Sequence, residues 1–151
     1  MQQVTPFLWY NDNAEEAANF YVSIFNNSKI VNVANGQEGK PLLVTFELDG
    51  QQFMALNGGP EFKFTEAISL VISVDTQQEI DEYWEKLSEG GEKQKYGWLK
   101  DKYGLSWQVI PSFLEQWMNK GDPELQKRII AAFEHMDKID IETLNRAYEG
   151  K

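Results

Sequence analysis

Apolar positions along this chain switch between a period of two and a period near 3.6, and the switches mark out its elements. Val4 to Tyr10 is apolar and aromatic and reads as a strand, which Asn11, Asp12 and Asn13 break. Ala14, Ala17, Ala18, Tyr21, Ile24 and Phe25 then recur at helical spacing, with Asn13 placed to cap the helix and Glu16 at its third position. Strands are predicted over Lys29 to Ala34, Pro41 to Leu48 and Gln52 to Leu56, divided by NGQEG and by Asp49-Gly50, the second a strong hairpin turn. The order is β-α-β-β-β.

After the turn-rich segment Asn57 to Pro60, with EFKF behind it, the order repeats. Ala67 to Val74 reads as a strand. Thr76 caps a helix with Glu79 three residues on, Ile80, Tyr83, Trp84 and Leu87 form its apolar face, and Gly90-Gly91 ends it. Gly97 to Pro111, GWLKDKYGLSWQVIP, reads as two short strands turned around Lys102, Tyr103 and Gly104. Laying Asp12 on Asp75 superposes the starts and apolar faces of the two helices, and Gly50 to Leu56 lies on Gly104 to Ile110. The pairing points to an internal duplication. Beyond Pro111 the pattern is helical: Phe113 to Met118, then a helix capped by Asp122 and opened by Pro123 with the face Leu125, Ile129, Ala132, Phe133 and Met136, then Ile141 to Tyr148. The fold class is therefore α+β: two βαβββ modules, about residues 1–58 and 66–111, and a helical C-terminal extension over about 112–151, making a single domain.

A chain of 151 residues can bury a sufficient core without staples, and its lack of cysteine excludes disulfides, thiolate catalysis and Cys-ligated zinc. The longest apolar run, near Ala67 to Val74, is interrupted by Ser69 and Ser73, and the start MQQVTPFLWY lacks a basic region, so neither a signal peptide nor a spanning helix is predicted. A cytoplasmic location is expected. The formal net charge of -10 repels a phosphate backbone, so nucleic acid is not an expected partner.

The residues that bear chemistry are few. His135 is the sole histidine, lies next to an apolar helical stripe and has no second histidine or any cysteine to share a metal or complete a triad. Glu47, Asp49 and Asp101 fall in or beside turns and read as solvated or turn residues rather than bases. Phe7, Trp9, Phe53, Trp98, Tyr103 and Trp107 lie on predicted strands, where core packing is their ordinary role. No Gly-rich turn follows the first strand, where NDNAEE stands, and Gly58-Gly59 leads into Pro60 with no evident helix. An S-adenosylmethionine site of the Rossmann type is not predicted.

Three separated motifs, PFLWYNDNAEEAANFY, GWLKDKYGLSWQVIP and MDKIDIETLNRAYEG, resemble the PhnB-like branch of the glyoxalase, bleomycin-resistance and extradiol-dioxygenase (vicinal oxygen chelate) superfamily. Members of this branch often carry the label 3-demethylubiquinone-9 3-methyltransferase. The resemblance implies modules that each curl into a half-barrel, a concave cavity between module faces, and a homodimer. In metal-using relatives the ligands come from the first and last strands of each module, which places Thr5 (or Pro6), Met54, Ser69 and Gln108 at those positions. Of these only Gln108 could serve a hard divalent cation, so no cofactor is predicted. If the ligand positions mark the cavity side, strand alternation adds Phe7 and Trp9 to Thr5 and adds Ser106 and Ile110 to Gln108, while Asn57 supplies an amide at the rim. The expected function is binding of a small, partly apolar molecule; the alternatives are a metal-dependent isomerase, lyase or dioxygenase, and an interaction module with a closed cavity.

Overall fold

Each of two four-stranded sheets is assembled in the same unusual order, first strand beside last. The computed structural model describes residues 2–151, which divide into two compact units on either side of Thr65. In the first unit the sheet runs β1 (Phe7–Tyr10), β4 (Gln51–Asn57), β3 (Pro41–Leu48), β2 (Lys29–Asn35). β1 pairs parallel with β4, and the other pairs are antiparallel. A parallel neighbour needs a crossover, which α1 (Ala14–Ile24) supplies.

Strand alternation decides which face that helix covers. Leu8, Tyr10, Val44, Phe46, Leu48, Phe53 and Ala55 are buried beneath α1, whose Ala14, Ala17 and Ala18 are fully buried and bring the helix close to the sheet. The Tyr10 and Tyr21 hydroxyls meet at 3.0 Å, so neither phenol is buried without a partner. Phe7, Trp9, Thr45, Met54 and Leu56 lie on the other face. Asp49 and Gly50 both have positive φ, 49° and 80°, and join Leu48 to its partner Gln51 as the two-residue turn expected from the sequence. Asn13 occupies the N-cap of α1, but its side chain makes no cap hydrogen bond. The cap comes from 43 residues further along the chain: Asn57 Oδ1 accepts from Ala14 N at 2.8 Å.

The second unit repeats the plan: β5 (Ser69–Val74), β8 (Ser106–Pro111), β7 (Trp98–Lys100), β6 (Glu92–Lys93), with β5 parallel to β8. α2 (Gln77–Ser88) begins with a complete capping box between Thr76 and Glu79. Its Ile80, Trp84 and Leu87 pack on the face that carries Leu99, Trp107 and Val109. Phe53 and Trp107, laid on one another by the internal match, are both buried on the helix side, and Met54 and Gln108 both fall on the opposite face. β6 was not expected: it is two exposed polar residues long, too short for a periodic signal.

Three helices follow, α3 (Phe113–Met118), α4 (Pro123–Phe133) and α5 (Ile141–Glu149). Asp122 caps α4 as expected, with Pro123 in its first turn. Leu125, Ile129, Ile139 and Leu144 are buried. Polar links tie the extension to the sheet and α2, among them the Gln77 amide, which donates to Ile139 O and accepts from Ile141 N, the Tyr96 and Gly97 amides, which donate to Met136 O and Asp137 O, and the Lys138–Asp81 ion pair. Gly97 is required there, since its φ is 81° and an added Cβ would stand 2.9 Å from Val109 O.

Candidate functional site

The face of the second sheet turned away from α2 carries Ser69, Gln108, Trp98 and Lys100. Ser69 pairs with Ser106, and Gln108 stands between Val71 and Trp98. Gln108 Nε2 donates to Ser69 Oγ at 3.0 Å, which orients the amide and leaves Oε1 as an acceptor. Beside them Lys100 Nζ lies 2.8 Å from Glu66. The hydrogen bond and charge of Lys100 hold the Glu66 carboxyl below its usual value, and the same contact raises Lys100.

Over this face α3 and α4 enclose an open groove of about 410 Å³. Trp98, Gln108 and Ile110 form its sheet side, and Leu114, Ile130 and Phe133 its helical wall. Tyr96 and Glu134 complete the lining, which contains no lysine, arginine or histidine. The volume suits a small organic molecule, and the walls are apolar or aromatic around one amide and one carboxylate.

The residues expected to line a cavity divide between the two units. Ser69 and Gln108 are brought together directly. Ser106 lies on the same face but is fully buried, its Oγ without a hydrogen-bond partner among the described residues, and it does not line the groove. In the first unit Phe7 and Met54 are register partners on the face away from α1, with Phe7 52% exposed. Thr5 precedes β1 and is half-buried. Trp9 is covered by the segment after β4: its Nε1 donates to Gly59 O at 2.9 Å, and Phe62 meets its ring edge-on at 4.9 Å. A Cβ on Gly58 would fall 2.4 Å from that ring, so the indole sits where only glycine permits it. Asn57 has both ends of its amide engaged, Oδ1 with Ala14 N and Nδ2 with Pro41 O, so it holds the backbone together rather than presenting a free amide.

Sequence reasoning placed Ile110 on the cavity side with Gln108, where the groove has it, but missed Tyr96, Leu114, Ile130, Phe133 and Glu134 as lining residues and placed Trp98 only among the packed aromatics. One signal was present. Ile130 is an isoleucine beside the buried stripe of α4 and is 52% exposed, an apolar residue the core does not use.

The site's donors do not fit a resident divalent cation. Ser69 and Gln108 offer only neutral oxygens, Ser69 Oγ already accepts from Gln108, and no group of three His, Asp or Glu residues gathers among the described residues. Asp101, buried in the β7–β8 turn, is also occupied: Oδ1 accepts from Tyr103 N and Leu105 N, and Oδ2 from Trp107 Nε1 at 2.9 Å.

Two βαβββ modules with this strand order define a protein of the glyoxalase/bleomycin-resistance/dioxygenase fold. FosX, a fosfomycin resistance protein from Listeria monocytogenes solved with Mn(II) and sulfate, shares the fold with a TM-score of 0.58 at 17% identity, over 80% of this chain and 98% of that chain. Protein PA1353 from Pseudomonas aeruginosa does so with a TM-score of 0.60 at 18% identity, over 74% of this chain and 98% of its own. The PhnB protein from Bacillus cereus is 38% identical, with a TM-score of 0.66, over 72% of this chain and 99% of that chain. A family model described as 3-demethylubiquinone-9 3-methyltransferase matches residues 2–110. The chain belongs to that family, the PhnB-like branch of the fold. The match stops at Ile110, so the C-terminal motif MDKIDIETLNRAYEG and all three last helices lie beyond it. Among curated proteins no match was found.

Proposed function

We propose that this protein binds a small organic molecule in the groove over β7 and β8, and does so without a divalent cation. The observation that carries the reading is the Gln108 amide, oriented by Ser69 on the floor of a groove of about 410 Å³ whose other surfaces are mostly apolar. A fixed acceptor in an apolar setting gives orientation, and the surrounding rings give affinity. The family's descriptive name is not carried over as an activity: methyl transfer from S-adenosylmethionine ordinarily uses a parallel sheet with a Gly-rich turn, and here the turn from β1 to α1 is Asn11-Asp12-Asn13 in a mostly antiparallel sheet. A homodimer in the cytoplasm belongs to the same proposal, supported by the family resemblance and the lack of cysteine.

The test begins with protein purified without chelator or affinity metal. Elemental mass spectrometry should find no stoichiometric divalent metal, before or after Ni, Zn, Mn, Fe and Mg are offered. A fragment screen read by ¹⁵N–¹H NMR should then shift the Trp98 indole and Gln108 amide signals, and Gln108→Leu should weaken those fragments by about tenfold, as expected for loss of one well-placed hydrogen bond. Stoichiometric metal uptake would overturn the metal-free reading in favour of a metal-dependent isomerase, lyase or dioxygenase. A groove that no fragment enters would leave an interaction module.

A further inference from the structure

We infer that the groove selects an organic cation: an ammonium group attached to an apolar or aromatic body. The inference rests on the small-molecule reading above and names the ligand class. Its basis is the pairing of one carboxylate, Glu134, with the rings of Tyr96, Trp98 and Phe133 around the same opening.

Among the lining residues Glu134 is the one charged group. It also follows directly on the last residue of α4, whose final turn carries no basic side chain. The carbonyl end of a helix bears a partial negative charge, so a glutamate there adds to that potential where a lysine or arginine would offset it. Neighbouring basic groups are engaged elsewhere. Arg128 donates to Ala147 O and Tyr148 O, and Lys138 Nζ lies 2.9 Å from Asp81. Lys95 and His135 adjoin lining residues in sequence but do not line the groove.

Each ligand charge meets this site differently. An anion would face Glu134 and the helix end with no compensating cation. A neutral molecule would fill the groove yet gain nothing from the carboxylate. A cation gains from the carboxylate and from the negative faces of aromatic rings, while its apolar body covers Ile110 and Leu114 and a polar end can reach Gln108 Oε1. The net charge of -10 adds a long-range attraction of the same sign. The helices that supply Glu134, Phe133 and Leu114 lie outside the family match, so this selectivity belongs to the extension rather than to the shared modules.

The test titrates the full chain with benzyltrimethylammonium, benzyl alcohol and phenylacetate, each followed through the Trp98 indole and Gln108 amide signals by ¹⁵N–¹H NMR. The cation should bind about tenfold tighter than benzyl alcohol, and phenylacetate most weakly, with added salt weakening the cation alone. Glu134→Gln should reduce the cation's advantage to about threefold or less and leave benzyl alcohol unchanged. Glu61→Gln, an exposed carboxylate in the first unit, should change neither. Equal binding of cation and alcohol, or an equal loss in both variants, would overturn the inference while leaving the small-molecule reading intact. If no probe moves either signal up to its solubility limit, both fall.

Discussion

Asp101 is a buried carboxylate that serves as a building block. Three donors converge on it, the amides of Tyr103 and Leu105 and the indole of Trp107, which sets the turn between β7 and β8 and locks the indole under α2. Asp101→Asn keeps the shape but forces its amide N–H₂ toward a donor. The buried mismatch should destabilise the fold by about 2–3 kcal/mol in urea unfolding, and a loss below about 0.5 kcal/mol would refute the role. The sequence showed Asp101 as a turn residue, and so it is. That it is buried, and held by an indole six residues on, was not readable, because turn composition reports local geometry and says nothing of what packs above the turn. Gln108 and Ser69 divide similarly: the family resemblance placed both on ligand positions, and only the parallel pairing of β5 with β8 brought their side chains to 3.0 Å.

At the level of elements, two helix starts that look alike in sequence are capped by different means. Thr76 and Glu79 complete a local box, so Thr76→Ala should lower stability by about 1 kcal/mol. Asn13→Ala should have an effect within about 0.5 kcal/mol, since its side chain makes no cap bond. Asn57→Ala should exceed both, at about 2 kcal/mol, by releasing Ala14 N and Pro41 O together. Urea denaturation of the three variants checks the ranking; an Asn13 effect as large as that of Asn57 would contradict it. Local capping is legible because it spans three residues of sequence. A cap delivered from the end of β4 depends on the parallel pairing of Tyr10 with Asn57, which no local pattern announces. β6 escaped notice for a related reason: Glu92 and Lys93 are a strand by pairing with Lys100 and Leu99, not by their own periodicity.

For the molecule as a whole, the resolved charge contacts make stability depend on pH in a definite direction. Gln77 and Lys138 hold the Asp81 carboxyl below its usual value, as Lys100 does for Glu66. A carboxyl lowered in the folded state contributes stability that is present above its unfolded pKa and lost as pH falls through the folded one. Lys100, raised by Glu66, contributes below its unfolded value and loses that contribution as pH rises through the folded one. Asp81→Asn should therefore reduce the fall in urea midpoint between neutral pH and about pH 3, while leaving the alkaline side unchanged. Glu66 is exposed and Asp81 and Lys100 are half-buried, so solvent screens these contacts and the changes should be small; an enlarged acid dependence in Asp81→Asn would contradict the assignment. The proposed homodimer is tested by sedimentation equilibrium of the full chain: a mass twice that of one chain supports it, and a single-chain mass at high concentration rejects it. No helix among the described residues is long and apolar enough to cross a membrane.

The sequence by itself determined the order of every α-helix and of every strand but β6, the duplication, the hairpin at Asp49-Gly50, the Thr76 box and the family, because each is written in local periodicity, turn chemistry or motif order. The tertiary structure alone decided what the last helices do. Their apolar faces predicted packing somewhere, yet periodicity does not name a partner surface. Backbone links from Tyr96 and Gly97 to Met136 and Asp137, with Gln77 bridging to Ile139 and Ile141, fix the extension to the second unit, where α3 and α4 turn an open sheet face into a groove. The contacts that place Gln108, Trp98 and Glu134 around one opening join residues far apart in the chain, and such contacts exist only once the chain has folded.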